Sequence, residues 1–227
     1  MICSCANCHI KNIFFASLID EKDLELYCNA RSETQVAAGE TIIKQGDKIK
    51  SFKYLYEGLI KLHRTNKDGT DQIISFGKPM DFVSIHNIFS RDTYNYSVTA
   101  LEDSIVCGFD LKSIKRLIKD NGVFAQKIIE TTNIASNQIL TDSLDLISKS
   151  MYGKVASVLL FFQEKVYFSP EYELPISRKE IAQYTGLTIE TVIRVISSFR
   201  RDGLIKVFGK RIEIIDHDGL KAIFEHS

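Results

Sequence analysis

Between about Arg31 and Asp110 the chain alternates short apolar runs with glycines. Gly39, Gly46, Gly58, Gly69 and Gly77 cut it into segments such as "ETIIKQGD", "FKYLYEG", "LIKLHRT", "DQIISFG", "YSVTALED" and "SIVCGF". Short runs of this kind, bounded by turn formers, predict strands. "NKDGTD" carries the Asp-Gly pair of a hairpin turn. Many short strands at regular spacing predict a barrel or roll. In "FKYLYEG", Phe52, Tyr54 and Tyr56 alternate with Lys53 and Leu55, which predicts a strand with one wet face.

The period changes at about Leu111. From there to Ser150 there is no proline, and Gly122 separates a short helix from a long one. Along the long helix Phe124, Ile128, Ala135, Ile139 and Leu146 recur at spacings of four and seven, a heptad-like seam. A second stripe, Ile129, Leu140, Leu144 and Ile147, follows another line along it. Two stripes suit a helix that meets its own domain on one side and a twin helix on the other, and the first seam is the expected dimer contact. Upstream, "FFASLIDEKDLELYCNA" predicts a short amphipathic helix with Phe15, Leu18, Leu24 and Leu26 as its apolar residues.

From Met151 onward the punctuation is denser. "MYGKVASVLLFFQEKV" reads as an apolar helix. Ser177 followed by Glu180 is a capping box that opens a short helix, Arg178 to Tyr184. Gly186 supplies a tight turn, Thr188 can cap a second helix from Ile189 to Arg201, and Gly203 ends it. Val192, Val195, Ile196 and Phe199 give that helix an apolar face, with Glu190, Arg194, Ser197 and Arg201 largely off it. Two helices joined by a short Gly-containing turn form a helix-turn-helix pattern. "LIKVFGKRIEII" then predicts two strands turned at Gly209-Lys210, a wing.

Composition changes this picture in three ways. No apolar run approaches a membrane span and no basic, apolar leader opens the chain, so the expected place of the protein is the cytoplasm, with no membrane partner. Lys plus Arg and Asp plus Glu both number 29, so nucleic-acid binding has to come from a local patch. Arg200, Arg201, Lys206, Lys210 and Arg211, with Asp202 and Glu213 as the nearby acids, supply one. Finally, "CSCANC" puts three of five cysteines within six residues. In a reducing compartment such spacing points to metal or redox chemistry rather than a disulfide framework. Three readings compete: an iron–sulfur cluster, a tail whose thiols do nothing specific, and a zinc site or thiol switch. A thiol- or metal-dependent oxidoreductase is the alternative of another class. Against it, no Cys-x-x-Cys opens a helix in a βαβ context, and there is no Rossmann or Walker glycine loop and no His-rich zinc motif; an enzyme is not expected.

The run "SRKEIAQYTGLTIETVIRVISSFRRDGLI" with "GKRIEI", the segments "GETIIKQGD" and "YEGLIKL", and the long helix between them resemble the cyclic-AMP receptor protein / fumarate-nitrate-reduction regulator (CRP/FNR) family of transcriptional regulators. The resemblance covers almost the whole chain. It implies an α+β fold: a sensor domain over 1–120, made of a cysteine-rich tail and a cyclic-nucleotide-binding-like β-roll, a dimerisation helix over 121–150, and a winged helix-turn-helix DNA-binding domain over 151–227. It implies a homodimer on double-stranded DNA with a two-fold related site, acting through RNA polymerase. Glu190 and Arg194 match the family's base-reading positions. Ser177, Arg178, Thr188 and Thr191 match phosphate-contacting ones, and Lys210 falls on the wing. Ile193 stands where the family has Ser or Gly. Chemically, arginine can donate two bonds to guanine, a carboxylate can accept from cytosine, and an isoleucine can touch a thymine methyl. The competing reading of Glu190 and Arg194 is an i,i+4 surface ion pair, worth a few tenths of a kcal/mol.

The nucleotide-binding branch holds its cyclic phosphate with a Gly-Glu-Leu segment and an Arg-Ser pair. The matching positions here are Met80, Asp81 and Phe82, and Tyr94 and Asn95. With the arginine missing and a carboxylate at Asp81, cyclic AMP is not expected. Another small molecule in the roll, over vestigial cysteines, is the alternative, with Asp81, Tyr94 and Asn95 as pocket residues. The oxygen-sensing branch holds a 4Fe-4S cluster on three N-terminal cysteines and one at the end of the roll. Cys5 and Cys8 match the first pair and Cys107 the last, while the remaining position falls at Phe14, so Cys3 is the expected substitute. Cys28 reads as packing.

Overall fold

A computed structural model describes residues 31–227. Cys3, Cys5, Cys8, Cys28 and the expected first helix lie outside the described residues. The chain divides into two compact units; along one long helix the boundary falls between Ile139 and Leu140, and the short stretch Asp71–Ile73 groups with the second unit.

The first unit carries seven strands: β1 (Ser32–Val36), β2 (Thr41–Ile43), β3 (Ser51–Glu57), β4 (Ile60–Thr65), β5 (Asp71–Gly77), β6 (Ser97–Ala100) and β7 (Ser104–Asp110). They form two sheets, in the orders β1-β7-β3 and β2-β6-β4-β5. The β4–β5 turn is the expected hairpin: Asn66 N–H donates to the Thr70 carbonyl (2.8 Å), and Gly69 takes a φ of +82° that its missing Cβ permits.

Strand β3 corrects the expectation of one wet face. Phe52 and Tyr54 enter an apolar cluster with Ile114 and Phe124, while Leu55, 0 % exposed, enters the roll interior beside Val98 and Val106. Because β3 has apolar packing on both faces, even Lys53 is half-buried.

Helix α1 (Leu111–Asp120) starts where the Asp110 carboxylate accepts from the Ser113 N–H (2.9 Å). Asn121 then caps the long helix α2 (Gly122–Ser148) by accepting from the Phe124 N–H (2.9 Å). The expected dimer seam needs correction here. Phe124 and Ile128 are 1 % and 3 % exposed, buried in the core of their own unit, and Ala135 packs against the same cluster. A side chain already covered by its own protomer cannot meet a partner. Ile139 and Leu146 are half-buried. The other stripe, Ile129, Leu140, Leu144 and Ile147, is the exposed one.

In the second unit α3 (Met151–Phe161) is capped by Ser150 and runs into a π-helical turn, Phe162–Tyr167, which its apolar composition does not set apart from the helix. Then follow β8 (Glu171–Glu173), α4 (Arg178–Thr185), α5 (Ile189–Arg201), β9 (Ile205–Phe208), β10 (Arg211–Ile214) and α6 (His217–Glu225). The sheet order is β8-β10-β9, so the wing has a third strand. His217 of α6 ties back to Glu164 of the π turn (2.8 Å).

Candidate nucleic-acid interface

Local chemistry fixes the helix pair. The Glu180 N–H donates to Ser177 Oγ (3.2 Å) and the Ser177 N–H donates to the Glu180 carboxylate (2.8 Å), closing the capping box that starts α4. Gly186, at φ +70°, ends it. Thr188 Oγ1 accepts from the Thr191 N–H (3.2 Å) and starts α5. At its end the Gly203 N–H donates to the Arg200 carbonyl and the Leu204 N–H to that of Phe199, a Schellman closure.

The faces of α5 are set by burial. Val192, Val195, Ile196 and Phe199 are buried, each worth about 1.5–3 kcal/mol. Phe199 also meets the Tyr152 ring of α3, with centroids 6.0 Å apart. This anchoring leaves Glu190, Ile193, Arg194 and Ser197 together on the exposed side. Glu190 and Arg194 form no ion pair. Instead an Arg194 Nη lies 3.6 Å from the Met151 sulfur. The surface-pair reading is therefore not realised, and both polar heads face outward near the N-terminal half of the helix.

The other expected DNA residues divide into two kinds. The Ser177 hydroxyl directs its proton to Glu180 (2.8 Å), and the Thr188 hydroxyl directs its own to Thr191 (3.1 Å), so both are engaged in capping. Lys210 is exposed, Thr191 is half-buried with its hydroxyl accepting from Thr188, and Arg178 is half-buried beside Tyr172, where burial lowers its pKa. In the basic patch Arg201 pairs with Asp202, Lys206 with Glu213 and Arg211 with Glu171. Arg200 and Lys210 have no acidic partner among the described residues, so they are the free cations for phosphate.

In the roll, the three expected pocket residues make separate contacts. The Asp81 carboxylate accepts from the Lys78 N–H (2.9 Å), and burial raises its pKa. The Asn95 N–H donates to Asn87 Oδ1 (3.0 Å). Tyr94 is buried and lines a cavity of about 490 Å³ to which Asp81 and Asn95 do not contribute. That cavity, with Lys48, Lys50 and Lys53 in its wall, was missed in the sequence, where these lysines look like ordinary strand-flanking charges.

Cys107 lies on β7, opposite Glu33 of β1 and Tyr54 of β3, in the apolar cluster that also holds Phe124. Among the described residues no group of three metal-binding side chains occurs, and no helix is long and apolar enough to cross a membrane.

Comparison with known proteins accounts for both units. The Crp-like helix-turn-helix domain family matches residues 153–223, and the cyclic nucleotide-binding domain family matches residues 33–121. The chain is 30% identical over 223 residues to the nitrogen fixation regulation protein FixK of Bradyrhizobium diazoefficiens, covering 96% of this chain and 93% of that protein. It is 30% identical over 219 residues to the transcriptional activator protein FnrL of Cereibacter sphaeroides, covering 93% and 87%. The solved structure of FixK2 from Bradyrhizobium japonicum shares the fold at a TM-score of 0.76 and 23% identity, covering 85% of this chain and 96% of that one. With a cyclic-nucleotide-binding roll, a Crp-like helix-turn-helix and full-length relatives that regulate transcription, the chain belongs to the CRP/FNR family of DNA-binding transcriptional regulators.

Proposed function

We propose that the protein acts as a homodimer that places α5 of each protomer in the major groove of a two-fold related site. The observation that carries this reading is the exposed Glu190–Ile193–Arg194 face on a helix whose opposite face is locked in the core. Arg194 donates its fork to a guanine, Glu190 accepts from a cytosine, and Ile193, 50 % exposed, meets a thymine methyl. Thr191, Arg178, Arg200 and Lys210 supply phosphate contacts. The dimer contact is the exposed stripe Ile129, Leu140, Leu144 and Ile147 of α2, four large apolar side chains that the described chain leaves in water. RNA polymerase is the downstream partner. Selection from a random duplex pool tests the arrangement. The recovered sites should be inverted repeats with half-site centres about 34–36 Å apart. Recovery of sites without two-fold symmetry would overturn it.

For the signal, we propose oxygen or redox sensing through a 4Fe-4S cluster held by Cys3, Cys5, Cys8 and Cys107. Such a cluster supplies an oxygen-labile, thiolate-held cross-link. Two observations support it. The N-terminal segment enters the roll on β1, whose Glu33 pairs with Cys107, so the segment that carries the other thiols joins the fold beside this one. Cys107 also shares its apolar cluster with Phe124 and Ile128, so a bond at this thiol bears on the core that seats the first turns of α2. Cyclic AMP is disfavoured because Tyr94 and Asn95 put no cation beside Asp81.

A further inference from the structure

The start of α3 meets the exposed face of α5 at one soft atom. Met151 is the first residue of α3, placed by the Ser150 cap. Beside it the Tyr152 ring packs on Phe199 of α5, with centroids 6.0 Å apart. That packing pins the start of α3 against α5, and the Met151 sulfur comes to lie 3.6 Å from an Arg194 Nη. Glu190, one turn earlier on α5, is the partner an exposed arginine would ordinarily take, yet the guanidinium rests on sulfur instead. A thioether is a weak acceptor, so the contact positions Arg194 without binding it firmly. Met151 is half-buried, not sealed in the core, and its arginine partner is exposed, so small oxidants can reach the sulfur. Met80 differs: its sulfur already accepts from the Tyr54 hydroxyl (2.9 Å).

We propose that Met151 is an oxidation site that controls Arg194: a peroxide converts the thioether to its sulfoxide, and the new oxygen binds the guanidinium and withholds it from DNA. In this step the peroxide O–O bond breaks and an S–O bond forms. The second peroxide oxygen leaves as water; sulfur gives up two electrons and the peroxide takes them. The sulfoxide oxygen stands one bond out from the sulfur, on the side of the side chain where Arg194 already lies. A hydrogen bond from a charged donor then replaces a weak sulfur contact, and a guanine edge has to compete with it. Sulfoxide reductases return the thioether, so the change is reversible. Its target is base readout, whereas a cluster on the cysteines would bear on the roll and α2. The inference rests on the reading of Arg194 as a base contact.

The full chain is treated with hydrogen peroxide and then with dithiothreitol, which returns disulfides and sulfenic acids to thiols but leaves sulfoxides. Mass spectrometry of the digest should place one added oxygen on Met151. The quantity read is the ratio of affinities for a selected site and for a scrambled duplex, by fluorescence anisotropy. Peroxide should lower this ratio by about tenfold or more, the worth of one hydrogen bond to a charged group, and a sulfoxide reductase should restore it. Met151→Leu keeps the volume without the sulfur, so its ratio should be the same before and after peroxide. Met80→Leu should respond as the unaltered chain does. Met151→Gln carries an oxygen on the atom that replaces sulfur and should show a low ratio with no peroxide. No oxygen on Met151 at doses that oxidise Met80, an undiminished ratio once Met151 is oxidised, or an equal fall in Met151→Leu would overturn the proposal. Arg194→Ala separates the two readings. If it lowers the ratio and the Met151 sulfoxide does not, the oxidation control alone is wrong; if it leaves the ratio intact, the base contact itself is wrong.

Discussion

Among the described residues Arg194 is held only by a sulfur contact at 3.6 Å, a weak bond that a guanine edge can replace at little cost. Arg194→Ala should therefore cost about 1–3 kcal/mol of DNA affinity and relax preference at one base pair, read by fluorescence anisotropy against a set of site variants. Arg194→Lys should not restore the preference, because a single ammonium cannot make the two-pronged contact. Lys210→Ala should weaken all sequences alike and lower the salt slope by about 1. If Arg194→Ala keeps the base preference, readout lies elsewhere on the helix. Two histidines make the units respond to pH in opposite senses. His217 donates toward Glu164 and Asp218, whose hydrogen bonds raise its pKa. Its stabilisation of the DNA-binding unit is complete below about 6.5 and is lost as pH rises through the raised value. His86, half-buried near the Tyr96 ring, has its pKa lowered by burial. The unfolded chain takes up that proton first, so the roll loses stability as pH falls below about 6.5. Unfolding followed unit by unit by hydrogen exchange should show both slopes. His217→Asn should flatten the one and His86→Gln the other, and parallel slopes in the two units would contradict both assignments.

At the scale of elements, what was legible followed from how local the chemistry is. The capping box at Ser177 and Glu180, the turn at Gly186, the cap at Thr188 and the wing turn at Gly209 each involve neighbours in sequence, and the structure forms all of them. The π turn after Phe161, strand β8 and helix α6 were not legible. A π turn keeps the apolar composition of the helix it extends, and β8 is three residues long with its pairing partner β10 nearly forty residues away. The two stripes of α2 show the limit most clearly. Periodicity found both, but only the packing of Phe124 and Ile128 against β3, β7 and α1 decides which one faces inward. The exposed stripe then predicts the dimer. Leu144, 57 % exposed, should tolerate Glu in the isolated fold, since it gives up no intramolecular core. In the dimer the same change buries a carboxylate against its twin. Leu144→Glu should thus leave circular dichroism unchanged, yield monomers in sedimentation and weaken DNA binding sharply. A dimer that survives Leu144→Glu together with Leu140→Glu would exclude this face.

For the whole molecule the question is how thiols near the chain start, if they hold the proposed cluster, would bear on DNA binding. The path suggested by the packing is short. β1 pairs with β7 at Glu33 and Cys107, and the Cys107 cluster includes Phe124 and Ile128, which seat the start of α2. Ligation of Cys107 by a group that also holds Cys3, Cys5 and Cys8 would fix the N-terminal segment against this core and favour the α2 arrangement that dimerises; loss of the group would remove that bias. Protein purified without oxygen should then be brown, contain iron and sulfide, bind DNA tightly, and lose colour and affinity together in air. Cys8→Ser and Cys107→Ser should each abolish the colour, since one missing thiolate opens the site, whereas Cys28→Ser should retain it. Because Cys107 is also a core residue, Cys107→Ser needs a thermal melt beside it: normal melting with no iron assigns the loss to ligation rather than to packing. Anaerobic protein that takes up no iron on reconstitution, and binds DNA equally in air, would reduce the cysteines to vestiges and overturn the cluster reading.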